Sequence, residues 1–330
     1  MPHTPSLDPT ATLHFIINGR SGSQDGDGTR ETIEAALAAA GRPGQLHFCE
    51  PADLRTTTAE LARRARAEQS AIVAVGGDGT INTVAQAAHA VGCAIGVVPQ
   101  GTFNYFARTH GIPADPAQAV AVLLSSQPVP VRVAAINDRV FLVNASLGLY
   151  PDLLEDREAF KARFGRSRWV ALWAGAVTLL RAQRRLRLHI ETASAVRDVQ
   201  TLTLFVGNNR LQLQQLGAEP EDTVAGMPGD GSLAALMLRP IGTLSMLGLM
   251  VHGAMGRLGE AAGVDSFEFK HMVVRPRLAP GHSEVTVAFD GEVARMRAPI
   301  DIRVLDKPLY LLQAPGDAAA AAGAPEEAKA

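Results

Sequence analysis

The chain has 330 residues, 47% hydrophobic and 19% charged, an ordinary globular composition with length for about two domains at roughly 150 residues each. Lysine and arginine total 31 against 33 acids, a formal charge of −2, which excludes a uniformly basic nucleic-acid coat. Its two cysteines, Cys49 and Cys93, lack C-x-x-C spacing; they exclude a disulfide framework and a structural zinc site and point to a reducing, cytoplasmic compartment.

The N-terminal stretch MPHTPSLDPTATLHFIING has no basic leader before its apolar run, so no signal peptide is expected. Four short apolar runs read as buried strands: Leu13 to Ile17, Gln45 to Cys49, Ala71 to Val75 and Ala94 to Val98. Helical patterns lie between them, near Glu31 to Ala40 closed by Gly41, Thr57 to Gln69, and Thr80 to Val91 closed by Gly92. In the last, Ile81, Val84, Ala85, Ala88 and Val91 share one face at a period of about 3.6. Another helix starts at Asp115 with Pro116 in its first turn. The alternation predicts an α/β layer with parallel strands and crossover helices.

After about Pro130 the texture becomes strand-like: Val131 to Ile136, Val140 to Ala145, Leu186 to Glu191, Thr201 to Val206, Leu233 to Leu238, Phe267 to Val274, Val285 to Phe289 and Ile300 to Leu305. These predict a second, mostly antiparallel β-rich domain. The expected division is 1–131 for the α/β domain and 132–313 for the β-rich domain, the last segment of which is free to pack back on the first. Residues 314–330 hold nine alanines and no large apolar side chain, and so are expected to form a disordered tail. The longest apolar stretches, Trp169 to Leu180 and Ile241 to Val251, fall short of the ~20 residues that span a bilayer.

The most informative segment is AIVAVGGDGTINTVAQ, a strand that ends in Gly76-Gly77-Asp78-Gly79-Thr80 and turns directly into an amphipathic helix. Glycines there let backbone N–H groups approach an anion, and the helix N-terminus adds partial positive charge. Asp78 would repel a bare phosphate, so it implies a metal ion, a ribose hydroxyl or ordered water; a tight turn with an aspartate cap is the simpler alternative. A second polar loop follows the next strand, with Gly101, Thr102, Asn104 and Arg108, and a third, Asn18-Gly19-Arg20-Ser21-Gly22, follows the first strand. Loops after neighbouring parallel strands share the sheet edge where α/β folds bind ligands. No G-x-x-x-x-G-K-S/T, G-x-G-x-x-G or G-x-S-x-G site is formed, which sets aside P-loop, dinucleotide and α/β-hydrolase chemistry.

In order, the motifs N-x-x-S-G at Asn18 to Gly22, G-G-D-G-T at Gly76 to Thr80, P-x-G-T-x-N-x-F-A-R at Pro99 to Arg108, NASLG at Asn144 to Gly148, D-G-x-L at Asp230 to Leu233 and D-G-E at Asp290 to Glu292 resemble the diacylglycerol kinase catalytic family. The resemblance extends to about Leu312. It implies a nucleotide-binding α/β domain and a β-rich domain with the active site in the cleft between them. It also implies ATP and Mg2+ as cofactors and a lipid hydroxyl as phosphate acceptor, in lipid metabolism. By the same resemblance, Gly76, Gly77, Gly79 and Thr80 cradle the phosphates, with Asn18, Ser21 and Thr102 assisting, while in the second loop Gly101 offers a backbone donor for the same ligand and Asn104 fixes the loop. Asp78 joins the magnesium network, Asp290 is the general base and Glu292 its acidic neighbour. Asp230 is either a second magnesium ligand or a turn residue, and Asp290-Gly291 is equally a strong hairpin signal.

Three positions depart from the family pattern: Tyr105, Thr83 and Arg132 stand where many relatives carry acids. NAD kinases share G-G-D-G-T, and a catalytically weakened nucleotide- or lipid-binding regulator is the alternative of another class. Arg157 to Arg187 hold nine basic residues against the single acid Glu158, around WVALWAGAVTLL. As a helix, that stretch sets Trp169 and Trp173 on one face, either as core or as a peripheral contact with an anionic inner-membrane surface that presents the lipid. No nucleic-acid partner is expected, and homo-oligomerisation is left open.

Overall fold

Residues Leu13 to Ile17 of the first strand, β1 (Leu13–Asn18), are all buried, as is every residue of β3 (Ala71–Gly76) and β4 (Ala94–Pro99). Alternate strand residues face opposite sides, so such burial needs a layer on each side of the sheet. Helices supply both. In the computed structural model, which describes residues 4–19, 26–148, 186–208, 231–238 and 264–314, α1 (Gly26–Ala39) and α5 (Pro116–Leu124) share an apolar cluster with Phe15, Ile17, Val73 and Val98. Ile16, Ile72 and Ala74, which alternate with that cluster, are left for α2 (Leu54–Ala67) and α3 (Asp78–Val91).

Local chemistry sets the helix ends. Asp115 caps α5 by accepting the Gln118 N–H at 2.9 Å, with Pro116 in the first turn. Gly92 closes α3 at φ +71, a left-handed geometry that suits glycine.

The chain divides into two units, residues 1–133 with 305–330, and residues 134–304. The sheet of the first runs β2-β1-β3-β4-β18-β5, where β2 is Gly44–Cys49, β5 Gln127–Val131 and β18 Leu309–Gln313. Strands β1 to β4 are parallel; β18 pairs parallel to β4 and antiparallel to β5. The second unit holds two antiparallel sheets. One runs β10 (Val196–Thr201), β9 (Leu186–Thr192), β14 (His271–Pro276), β17 (Ile300–Val304), β6 (Ala134–Ile136), β7 (Arg139–Phe141). The other runs β13 (Val264–Phe269), β12 (Leu233–Leu238), β11 (Thr203–Gly207), β8 (Asn144–Gly148), β15 (Glu284–Phe289), β16 (Glu292–Arg297). One cluster, including Phe141, Ile190 and Ile302 from the former and Leu147, Leu204 and Phe289 from the latter, gives the sheets a shared core. Among the described residues no helix is long and apolar enough to cross a membrane.

The α/β layer and the antiparallel β-rich part are as the sequence predicts, but three runs read as single strands are broken. Val131 to Ile136 divides between β5 and β6, Val140 to Ala145 between β7 and β8, and Phe267 to Val274 between β13 and β14, each pair in different sheets. At Leu142-Val143 the chain stays apolar through the corner between the two sheets of the second unit, so hydrophobicity alone does not mark that break, whereas Arg132 and Lys270-His271 interrupt the other two runs.

Burial of His110, whose ring lies 4.6 Å from that of Phe106, pushes its pKa down to about 4; burial also lowers those of His14 and His47. With a folded pKa below the unfolded value of 6.5, the native state binds fewer protons than the unfolded chain between these values. The contribution of His110 is therefore complete above about pH 6.5 and is lost as pH falls toward 4, by about 2–3 kcal/mol. The urea midpoint should drop between pH 7 and pH 4.5, and His110→Gln should narrow that drop; an equal drop in both proteins would refute the assignment.

Candidate active site

The order β2-β1-β3-β4 sets the C-terminal ends of β1, β3 and β4 side by side. Gly77, the N-cap of α3, is extended, and its carbonyl accepts the first intrahelical bond from the Ile81 N–H at 3.0 Å. The N–H groups of Asp78, Gly79 and Thr80 precede that bond and are directed out of the helix end. A Cβ built on Gly79 meets nothing within 4 Å, whereas one on Gly77 comes 3.2 Å from the Gly101 Cα, and one on Gly101 comes 2.7 Å from the Gly77 Cα. The two loops touch backbone to backbone beside an open helix N-terminus, an arrangement suited to an anion.

Hydrogen bonds from side chains and backbone stitch these loops together. Asn18 Nδ2 donates to Thr80 Oγ1 at 3.3 Å, and the Gln100 N–H donates to the Gly76 carbonyl at 2.8 Å. Asn104, at φ +48, accepts the Gly101 N–H and donates to the Gly101 carbonyl, both at 2.8 Å. Asp78 Oδ1 accepts the Phe106 N–H at 3.5 Å, at the start of the short helix α4 (Tyr105–Thr109). Burial raises the pKa of the Asp78 carboxyl, and the backbone N–H groups of Phe106, Tyr105 and Asn104 oppose that rise.

Gly101→Ala tests the contact. The added methyl would sit 2.6 Å from Asn104 Oδ1 and 2.7 Å from the Gly77 Cα, so the loops must part. A displacement approaching 1 Å predicts about a 100-fold loss of turnover with little change in melting temperature; unchanged turnover would refute a phosphate-positioning role.

In the second unit, Asp290 and Gly291 form the two-residue loop between β15 and β16, with Phe289 paired to Glu292 and both loop residues at positive φ, +46 and +85. This is the Asp-Gly hairpin geometry. Yet Asp290 is only 5% exposed. Its Oδ2 accepts the Leu142 N–H at 2.7 Å, and its Oδ1 accepts those of Val143 at 2.8 Å and Asn144 at 3.0 Å. Those residues form the corner where the chain leaves β7 and enters β8 in the other sheet. Asn208 satisfies the corner's carbonyls, its N–H donating to Val143 at 2.8 Å and its Nδ2 to Leu142 at 3.2 Å. Glu292, the first residue of β16, is partly exposed.

The sequence-derived residues fall into two groups. Asn18, Gly76, Gly77, Asp78, Gly79, Thr80, Gly101, Thr102 and Asn104 gather in the first unit; Asp290 and Glu292 belong to the second. Ser21 and Asp230 lie outside the described residues, as do Trp169, Trp173 and the basic segment up to residue 185. Among the described residues no cluster of three His, Cys, Asp or Glu side chains is placed to hold a metal. Of the departures, Thr83 is buried and donates its hydroxyl to the Gly79 carbonyl at 3.0 Å. Tyr105 stacks on Phe103, with ring centroids 5.6 Å apart and planes 6° from parallel, while Phe103 stays 49% exposed. Arg132 lies just after β5 and is half-buried. Sequence reasoning missed Asn208 and the Phe103–Tyr105 stack. The latter had a signal, two aromatics flanking an asparagine that tolerates left-handed geometry.

The two-part architecture is shared with solved structures. A Bacillus anthracis chain aligns with a TM-score of 0.68 at 21% identity, covering 92% of this chain and 98% of its own. Another from that organism, described as a diacylglycerol kinase, aligns at 0.62 with 18% identity, covering 92% and 97%. In sequence, the chain is 39% identical over 98 residues to the probable lipid kinase YegS-like protein of Klebsiella pneumoniae (strain 342), covering 28% of this chain and 33% of that one. With the protein of the same description from Cronobacter sakazakii it shares 28% identity over 234 residues, 69% and 74% of the respective chains. The match spans about half, 52%, of the Serratia proteamaculans relative. The model of the diacylglycerol kinase catalytic domain matches residues 12–136, which include β1, β3, β4 and the glycine cradle. Over those residues, and by these likenesses, the chain is similar to the diacylglycerol kinase catalytic domain family.

Proposed function

We propose that the chain is an ATP-dependent lipid kinase that transfers the γ-phosphate to a hydroxyl of diacylglycerol or a related lipid. The observation that carries this reading is the bare-backbone contact of Gly77 with Gly101 beside the open N-terminus of α3. The backbone there approaches phosphate oxygens without side-chain obstruction. ATP with Mg2+ supplies the phosphoryl group and the counter-charge, and carboxylates such as Asp78 and Asp230 suit that hard cation. Asn18, Ser21, Thr80 and Thr102 orient the phosphates, and Asn104 holds the turn that carries Gly101. Of the D-G-E acids, Asp290 is 5% exposed and holds three backbone N–H groups whereas Glu292 is partly exposed, and we assign acceptance of the hydroxyl proton to Glu292.

Incubation with magnesium, labelled ATP and a panel of diacylglycerol, sphingosine, ceramide and NAD tests the reading. Label in a lipid is expected. Label in NAD alone, or nucleotide binding without transfer, would overturn it. Lipid access is assigned to Trp169, Trp173 and the basic segment Arg157 to Arg187. The double change Trp169→Ala/Trp173→Ala should sharply reduce binding to anionic vesicles, and unchanged binding would remove the segment from the proposal.

A further inference from the structure

The outer edge of the first sheet is β2. The carbonyls of Pro43 and Cys49 accept the N–H groups of Leu13 and Gly19, so the odd-numbered residues of this strand turn their backbone polar groups toward β1. Those of Gly44, Leu46 and Phe48 therefore face outward. Natural edges are blunted by charge, proline or a bulge. The strand GQLHFC has neither charged residue nor proline, and Phe48 is 53% exposed.

We propose that this edge pairs antiparallel with the same edge of a second copy of the chain, about a twofold axis through Leu46. A twofold perpendicular to the sheet keeps like faces together only when residues of equal parity oppose each other. Centred on Leu46, it sets Leu46 against Leu46, Phe48 against Gly44 and Arg42 against Glu50, and every outward N–H and carbonyl of the three residues finds a partner. A shift by one pair in either direction separates Arg42 from Glu50 and sets Phe48 against a residue with a side chain, Arg42 or Leu46.

The side chains fit this register. Leu37 of α1 fills the space over Gly44, its Cδ1 only 2.5 Å from where a Gly44 Cβ would be, so an opposing ring would rest on Leu37. Gly44, Leu37, Leu46 and Phe48 line an open groove between α1 and β2, rimmed by the Arg30–Glu34 ion pair. The ring of the partner's Phe48 would enter that groove and cover Leu37, an apolar cross-strand contact. Arg42, anchored by donation from Nη2 to the Asp8 carbonyl at 3.0 Å, keeps further guanidinium donors for the opposing Glu50.

Sedimentation velocity of the full chain over a micromolar concentration series tests the proposal. A reversible monomer–dimer equilibrium is expected. Phe48→Lys should weaken it at least about tenfold, as lysine does at natural edges. Glu50→Arg, which opposes two arginines at each end of the ladder, should also weaken it, and Arg42→Glu/Glu50→Arg should restore it. Circular dichroism and melting temperature check that each variant is folded. A monomer at all concentrations, or a dimer indifferent to both Phe48→Lys and Glu50→Arg, would overturn the proposal.

Discussion

Replacing Asp290 by alanine is expected to remove about 3–5 kcal/mol of stability from the second unit. Three backbone N–H groups, those of Leu142, Val143 and Asn144, end on this carboxylate, and the residues that carry them are at most 4% exposed. Water has little access to replace it. All three amides end on this carboxylate, so each lost bond leaves a desolvated donor. Alanine also has to adopt φ +46, a strained geometry worth about 1 kcal/mol. Asp290→Gly separates the two terms, since glycine accepts that φ while still lacking the carboxylate. Asp290→Asn keeps one acceptor oxygen and turns an amide donor toward the other N–H groups. Urea unfolding should rank the variants wild type, Asn, Gly, Ala in falling stability. A wild-type midpoint for Asp290→Gly would show that the carboxylate does not hold the corner.

The two candidate regions were not equally legible in the sequence. The first-unit loops were readable because parallel strands with crossover helices place successive C-terminal ends on one edge, so Asn18, Gly76 to Thr80 and Gly101 to Asn104 had to converge once the strands were identified. Their glycines were informative because a missing side chain is visible in a sequence. The position of Asp290 was only half legible. Asp-Gly between two strand patterns announces a hairpin, but its burial depends on residues nearly 150 positions earlier, where an apolar run hides a corner. The pairing of β18 with β4 and β5 is equally nonlocal: Leu309–Gln313 is an apolar strand pattern that nothing local assigns to one sheet over another.

That distinction decides what Glu292→Gln should do. Glutamine keeps the size and the hydrogen-bonding oxygen of glutamate but does not take up a proton at neutral pH. If Glu292 accepts the proton of the attacking hydroxyl, turnover should fall by about 10²–10⁴-fold. The Michaelis constant for ATP should stay near its wild-type value, because the loss lies in the transition state. The unfolding midpoint should move little, as Glu292 is partly exposed at the start of an edge strand. Asp290→Asn should behave oppositely, with a clear loss of stability and an activity loss that follows disorder of the β7–β8 corner. The pair of variants therefore assigns the roles. A stable Asp290→Asn protein with turnover reduced as far as predicted for Glu292→Gln would return the proton-accepting role to Asp290, and an active Glu292→Gln enzyme would remove it from Glu292.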